Sequence, residues 1–321
     1  MRIRRILVCF LAVALWNPVT GPAKPQSASR ASQRRPAAER ATVPLPNREG
    51  SLKFLVLGDF GTGTKRQYEL AARMAALCER FPAEFVITVG DNLLGKESPE
   101  DFGEKFEEPY AALRQKGIAF YASLGNHDSR LQRFYADFNM GGKTYYSFKA
   151  PKQSVKFIAL ESDYPTPTQM EWLRGELAGE EEWMIPFFHH PIYSSGTRHG
   201  SKLSLRELLE PIFLEHNVTV AFAGHDHFYE RTKPQRGITH FVVGAGGKLA
   251  LGDIDPRSGL AAAGYDRDLA FLAVEIDADQ LFFNAVSRTG AVVDSGVIKR
   301  RRAPERRIGA RASASTLRRR G

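Results

Sequence analysis

Five short polar clusters punctuate this chain, each directly after an apolar run: Gly58-Asp59-Phe60-Gly61, Gly90-Asp91-Asn92, Gly125-Asn126-His127-Asp128, His189-His190-Pro191 and Gly224-His225-Asp226-His227. They supply carboxylate, amide and imidazole donors and no thiolate, a set suited to hard or borderline di- and trivalent metal ions. Six of the eight histidines fall inside these clusters or, like His199, just beyond one of them. A lone Asp after a strand ordinarily caps the next helix, and a lone Asn serves a turn. The concentration of histidine argues against that reading for the set as a whole. Two cations a few Å apart acidify a shared water and compensate phosphoryl charge, and a neighbouring histidine can protonate a leaving group. The chemistry indicated is phosphoester hydrolysis.

The runs before the clusters, residues 52–57, 85–89, 120–124, 184–188 and 219–223, read as buried strands. Open sheets hold their sites at the C-terminal ends of such strands. Leu70, Met74, Leu77 and Phe81 recur at helical spacing and predict a helix over 65–81, and residues 99–116 also have helical character. This βαβαβ order implies parallel strands. Further on, 145–148 and 155–160 read as a hairpin pair. Thr168 with Glu171 predicts a capping box opening a helix to Ala178. Leu205, Leu208, Leu209, Ile212 and Phe213 mark a helix over 203–215, and strands follow at 239–243, 270–276, 281–286 and 291–298. The expected fold is α/β: a four-layer αββα sandwich of two mixed β-sheets flanked by helices, built from two strand-rich halves.

Nine Lys/Arg against two Asp/Glu fall in residues 1–50 and ten against one in 297–321, so the region between is net acidic. The overall charge of +9 belongs to the ends, which weakens the nucleic-acid reading a basic chain invites. Residues 1–5 are basic, 6–16 are apolar but short for a bilayer span, and Gly21-Pro22-Ala23 offers small residues for cleavage. Residues 1–23 therefore read as a signal peptide, and the protein is expected to be exported, periplasmic or secreted. Residues 24–50 read as a disordered linker, 51–298 as one domain and 299–321 as a basic disordered tail. Cys9 falls in the signal, which leaves Cys78 as a buried, unpaired thiol.

In order and spacing the five clusters resemble the calcineurin-like metallophosphoesterase superfamily, and within it the purple, tartrate-resistant acid phosphatases. Val242-Val243-Gly244-Ala245-Gly246-Gly247 resembles their glycine turn, and the likeness covers about residues 51–300. The resemblance implies two metal ions, iron with zinc, manganese or a second iron. It implies Asp59 as a terminal ligand of the first metal, Asp91 as the bridging carboxylate, Asn126, His189 and His225 on the second metal, and His227 on the first. It places His127 near the phosphate as charge stabiliser or acid, and His199 towards the substrate as a proton donor. His190 is either a residue lining the cleft or the ligand in place of His189. Asp128 and Asp226 are expected to orient histidines, and Arg198 is an exposed loop residue or a phosphate contact.

One departure stands out. The resembled phosphatases carry a tyrosine three residues after the bridging aspartate, where this chain has Leu94, and other members of the superfamily carry a histidine where it has Gly61. The first metal is left with Asp59, Asp91 and His227. The implied activity is acid-phosphatase-like phosphomonoester hydrolysis. A phosphodiesterase or nucleotide hydrolase on the same site, and a degenerate phosphate-binding or interaction protein, are the alternatives. The expected partners are a small phosphate-ester substrate and an anionic surface met by the C-terminal tail; no specific nucleic acid is expected, and a monomer is.

Overall fold

The structure, a computed structural model, describes residues 42–301. The expected signal peptide, most of the linker and the tail beyond Arg301 lie outside the described residues. β1 (Leu52–Leu57) is buried along its whole length, as a strand covered on both faces must be. It runs parallel to β2 (Phe85–Val89), and β2 to β3 (Ala119–Ser123). α1 (Lys65–Cys78) turns Leu70, Ala71, Met74 and Cys78 onto this sheet. It ends three residues before the expected Phe81, because Pro82 disfavours helical backbone in the residue before it; Phe81 is buried all the same.

Residues 99–116 do not form one helix. α2 (Pro99–Phe102) opens on a Ser98–Asp101 capping box, passes into a π-helical turn over Gly103–Glu107, and helix resumes as α3 (Ala111–Gln115). Pro109 has no amide hydrogen with which to continue the ladder. The break nevertheless sends Phe106, Tyr110 and Leu113 into the core.

In the second sheet β4 (Tyr146–Lys149) pairs antiparallel with β5 (Val155–Ala159), which runs parallel to β6 (Trp183–Phe187), and β6 to β7 (Val220–Ala223). β8 (Tyr229–Thr232) and β9 (Thr239–Val243) follow, with β9 parallel to β7 and β8 antiparallel to β9. β10 (Ala261–Tyr265) closes the edge. The sequence pattern did not predict β8 or β10. α4 (Pro167–Leu177) and α5 (Leu203–Glu215) cover the outer face, packing Leu173, Leu177, Leu209 and Phe213 with Ile158 of β5 and Phe188 just past β6. The cap of α4 is Thr166, whose hydroxyl accepts the Gln169 amide, and not Thr168. Pro167 then takes the first helical position, where a missing amide hydrogen costs nothing.

The two sheets are not two halves of the chain. β11 (Ala270–Asp277), β12 (Gln280–Ser287) and β13 (Val292–Lys299) return to the first sheet, β11 lying antiparallel to β1. The orders are β13-β12-β11-β1-β2-β3 and β10-β8-β9-β7-β6-β5-β4, so both sheets are mixed and the αββα architecture holds. Aromatic rings fill the space between them: Phe54 meets Phe157 at 5.0 Å and Phe241 meets Phe283 at 5.1 Å. Residues 42–50, which composition places in the linker, lie against the first sheet. The Asn47 and Arg48 amides donate to the Glu275 carboxylate and the Val43 amide to Ser295 Oγ.

Pairing register sets the position of the site. Leu57 lies opposite Thr88, Val89 opposite Ser123, Phe187 opposite Phe222, and Ala223 opposite Val242. The C-terminal ends of β1, β2 and β3 are therefore level, as are those of β6, β7 and β9. Each of the five polar clusters leaves the sandwich from one of these ends.

Candidate metal centre

Three of the expected ligands stand in left-handed backbone just past a strand: Asp59 at φ 54, Asp91 at φ 50 and His225 at φ 70. This conformation costs a residue with a Cβ about 1 kcal/mol or more. It turns the chain sharply and brings the side chains back over the strand ends. Glycines make room for that packing: a Cβ on Gly125 would lie 2.2 Å from Asp91 Oδ1, and one on Gly224 2.5 Å from Asp59 Oδ2.

The turns bring the expected ligands together. His189 Nδ1 lies 3.0 Å from the Val89 carbonyl. A carbonyl only accepts, so this nitrogen carries a proton and Nε2 is the ring atom turned to the other donors. Around Nε2 stand Asn126 Oδ1 at 3.0 Å, His225 Nδ1 at 3.1 Å and Asp91 Oδ1 at 3.4 Å. Asp59 Oδ2 accepts the His225 amide at 2.9 Å, while Oδ1 is buried without a hydrogen-bond partner and faces His227 Nε2 at 3.5 Å. Asp59, Asp91 and His189, and separately His189, His190 and His225, each bring a donor atom within 4.8 Å of the others. A buried carboxylate oxygen with no donor, beside lone pairs facing one another, is what cations resolve. The residues present fit a two-cation centre on this ground.

The electrostatics agree. Burial, above all, pushes the Asp59 carboxyl well above the usual range, and Asp91 adds to that while His189 opposes it. Burial with the neighbouring histidines pushes His225 down to about 2 and His190 down to about 3, and burial with the Lys248 charge lowers His227. At these four groups burial disfavours charge of either sign. That suits neutral imidazoles waiting on a cation.

The other expected residues fall around this cluster. His127 is exposed, and its amide donates to Asp91 Oδ1 at 3.0 Å. His199 is exposed and its ring lies 4.3 Å from that of His225, while Arg198 beside it is also exposed. His190 is buried with its ring 4.4 Å from His225, but its Nδ1 meets Ser162 Oγ at 3.1 Å. His189, and not His190, reaches Asp91 and Asn126. The expectation that Asp128 and Asp226 orient histidines is corrected. Asp128 accepts the amides of Asn92, Leu93 and Gly125, tying the Asp91 turn to the Asn126 turn. Asp226 accepts the Ser194 hydroxyl and the Gly200 amide.

Sequence reasoning missed two residues with related roles. Asp253 accepts Thr197 Oγ1 at 2.6 Å and the Arg198 amide at 3.0 Å, and Glu230 accepts the Ser195 amide at 2.8 Å. Together with Asp226 they clamp the 194–200 loop that carries His199. No motif marks them, and their sequence neighbours, Arg231 and Thr232 after Glu230 and Asp255 after Asp253, do not set them apart. On the first-metal side Gly61 leaves no room for the histidine of other superfamily members, since its Cβ would lie 2.0 Å from the Asn92 carbonyl oxygen. The Leu94 amide donates to the Gly61 carbonyl at 2.8 Å, locking the two departures from the family pattern together.

Comparison with known proteins agrees with this geometry. The family model for calcineurin-like phosphoesterase matches residues 52–229, more than half of the chain. Tartrate-resistant acid phosphatase type 5 of Oryctolagus cuniculus is 26% identical over 247 residues, covering 63% of this chain and 76% of that protein. Purple acid phosphatase 17 of Arabidopsis thaliana is 28% identical over 248 residues, covering 65% and 72%. Among solved structures, the anchor in the inner membrane complex of Plasmodium superposes with a TM-score of 0.69 at 20% identity, covering 78% of this chain and 90% of its own. A purple acid phosphatase from yellow lupin (Lupinus luteus) seeds gives 0.64 at 19% identity, covering 80% and 55%. These two structures share the fold.

Proposed function

This chain belongs to the calcineurin-like phosphoesterase family and is a metal-dependent phosphoester hydrolase, and from that premise we propose that it is an exported, acid-phosphatase-like phosphomonoesterase. The observation that carries the site assignment is the convergence of acceptors on His189 Nε2, beside an unpartnered Asp59 Oδ1. On this reading Asp59 and His227 hold one ion, Asn126, His189 and His225 hold the other, and Asp91 serves both. Bound there, the ions supply an acidified water and charge compensation on the phosphoryl oxygens. His127, whose amide is fixed to Asp91, stands at the open side to neutralise phosphoryl charge. His199, held by the clamped loop, is the candidate proton donor to the leaving oxygen.

The preference for monoesters rests on the acid phosphatases among the relatives, and the proposal of export rests on residues 1–23. The Plasmodium anchor shares the fold, but a role in anchoring alone needs none of the six converging donors. The chain's departures at Gly61 and Leu94 leave the first ion three side chains, so we take iron there to be less firmly held, with a divalent ion accepted more readily.

Asp91→Ala tests the centre. With the shared ligand gone, several kcal/mol of transition-state stabilisation go with it, a loss of about a thousandfold in kcat/KM. Metal content of the purified variant should fall in parallel. Near-normal turnover with both ions retained would end the assignment. Export is checked by the N-terminus of the mature protein, which should begin after the small-residue stretch at 21–23.

A further inference from the structure

Beside the centre lies a cavity of about 670 Å³, within the range of small-molecule sites. His127 forms one end, so the cavity begins one residue from Asp91, whose Oδ1 accepts the His127 amide at 3.0 Å. Phe102 and Tyr135, their rings 4.3 Å apart, form an aromatic wall. Leu131 stands on the rim with 68% of its surface exposed. The acidic groups of the lining are already engaged. Glu97 Oε1 accepts the Ser129 amide at 2.6 Å and Gln132 Nε2 at 2.9 Å, and Asp128 holds three backbone amides. Phe102, Tyr135 and Leu131 supply the apolar part of the lining beside these engaged polar groups. Elsewhere around the centre the Gly244–Lys248 turn packs on Asp59, its Gly247 and Lys248 amides donating to the Asp59 carbonyl.

We propose that this cavity is the leaving-group subsite, and that the favoured substrate is a phosphomonoester whose alcohol carries an apolar ring. The inference builds on the phosphomonoesterase reading. A phosphoryl group held among Asp59, Asp91 and Asn126 has His127 and the cavity on its open side, so the alcohol portion lies along Phe102 and Tyr135 under Leu131. Such a group gains affinity by leaving water for apolar surface.

The test compares phenethyl phosphate with ethyl phosphate on the full-length, metal-loaded protein. Their leaving alcohols are nearly equal in basicity, so the ratio of their kcat/KM values reports contact with the ring. Half-covering a phenyl ring corresponds to a preference of about tenfold. Leu131→Ser, at an exposed position that leaves the core intact, should cut that ratio about threefold and leave ethyl phosphate unchanged, while Leu131→Phe should keep it. A ratio near one, or an equal loss on both substrates in Leu131→Ser, would overturn the proposal. Titration calorimetry with the corresponding phosphonates, phenethylphosphonate and ethylphosphonate, reads the same preference without turnover. A preference in binding with neither ester hydrolysed would sink the phosphomonoesterase reading and keep the subsite; hydrolysis of both with no preference would do the reverse.

Discussion

At the scale of single residues, position 94 has the clearest spectroscopic consequence. Leucine has no donor atom, so the iron-loaded, oxidised protein should lack the visible charge-transfer band that a tyrosinate ligand gives. Leu94→Tyr should create one, because the Leu94 amide is already fixed to Gly61 beside Asp59. A band in the unaltered protein, or iron-loaded Leu94→Tyr without one, would remove position 94 from the neighbourhood of the first ion. The six converging donors were legible in the sequence as residue types, because imidazole, amide and carboxylate groups carry donor atoms that the strand ends then bring together. The roles of Asp128, Asp226, Glu230 and Asp253 were not legible. They act on backbone amides of other segments, as Glu230 does on Ser195 thirty-five residues away, and nothing in residue type announces such a partner.

At the scale of elements, the 194–200 loop that carries His199 is held by buried carboxyl groups, and the stability one of them contributes depends on pH. Burial, only partly offset by the Ser195 amide, pushes the Glu230 carboxyl from 4.5 up to about 7. The native protein thus keeps a proton that the unfolded chain releases. The contribution of Glu230 to stability is greatest below about pH 4.5 and declines by roughly 3 kcal/mol as pH rises through 7. Glu230→Gln keeps an acceptor for Ser195 and cannot ionise. Its melting temperature should match that of the unaltered protein near pH 4.5 and exceed it progressively towards about pH 8. A difference that stays flat across this range would rule out the buried carboxyl as the titrating group. The strands before the clusters were legible because β1, β2 and β6 are mostly apolar, with Lys53 and Thr88 the exceptions. β10 was not, since Ala261–Tyr265 has neither β-branched residues nor a clear alternation. The helical character of 99–116 was real, but it could not show that Pro109 and the π turn would break the segment in two.

At the scale of the whole molecule, β1 is flanked by β2 on one side and by β11 on the other, with the last three strands packed beyond it. A chain cut after residue 269 would leave β1 as an open, apolar edge, which favours aggregation. Such a chain is expected to be insoluble or to unfold without cooperativity. A chain ending at Arg301 keeps every contact described here and should melt with the full-length protein. Soluble, active protein from the shorter chain would contradict this account of the first sheet. Counting strands predicted the sandwich but not the exchange between sheets, because a strand's own pattern shows that it is buried and not which neighbour buries it.

The return of β11 to β1 also bears on the timing of biosynthesis. Asp59 and Asp91 emerge early from the ribosome, yet the sheet that supports them waits for the last thirty residues of the domain. A growing chain can expose these carboxylates and histidines but cannot yet arrange them, so ions met during translation find only loose, exchangeable donors. Ordered binding of ions is therefore expected only once the chain is complete and β11 has closed on β1.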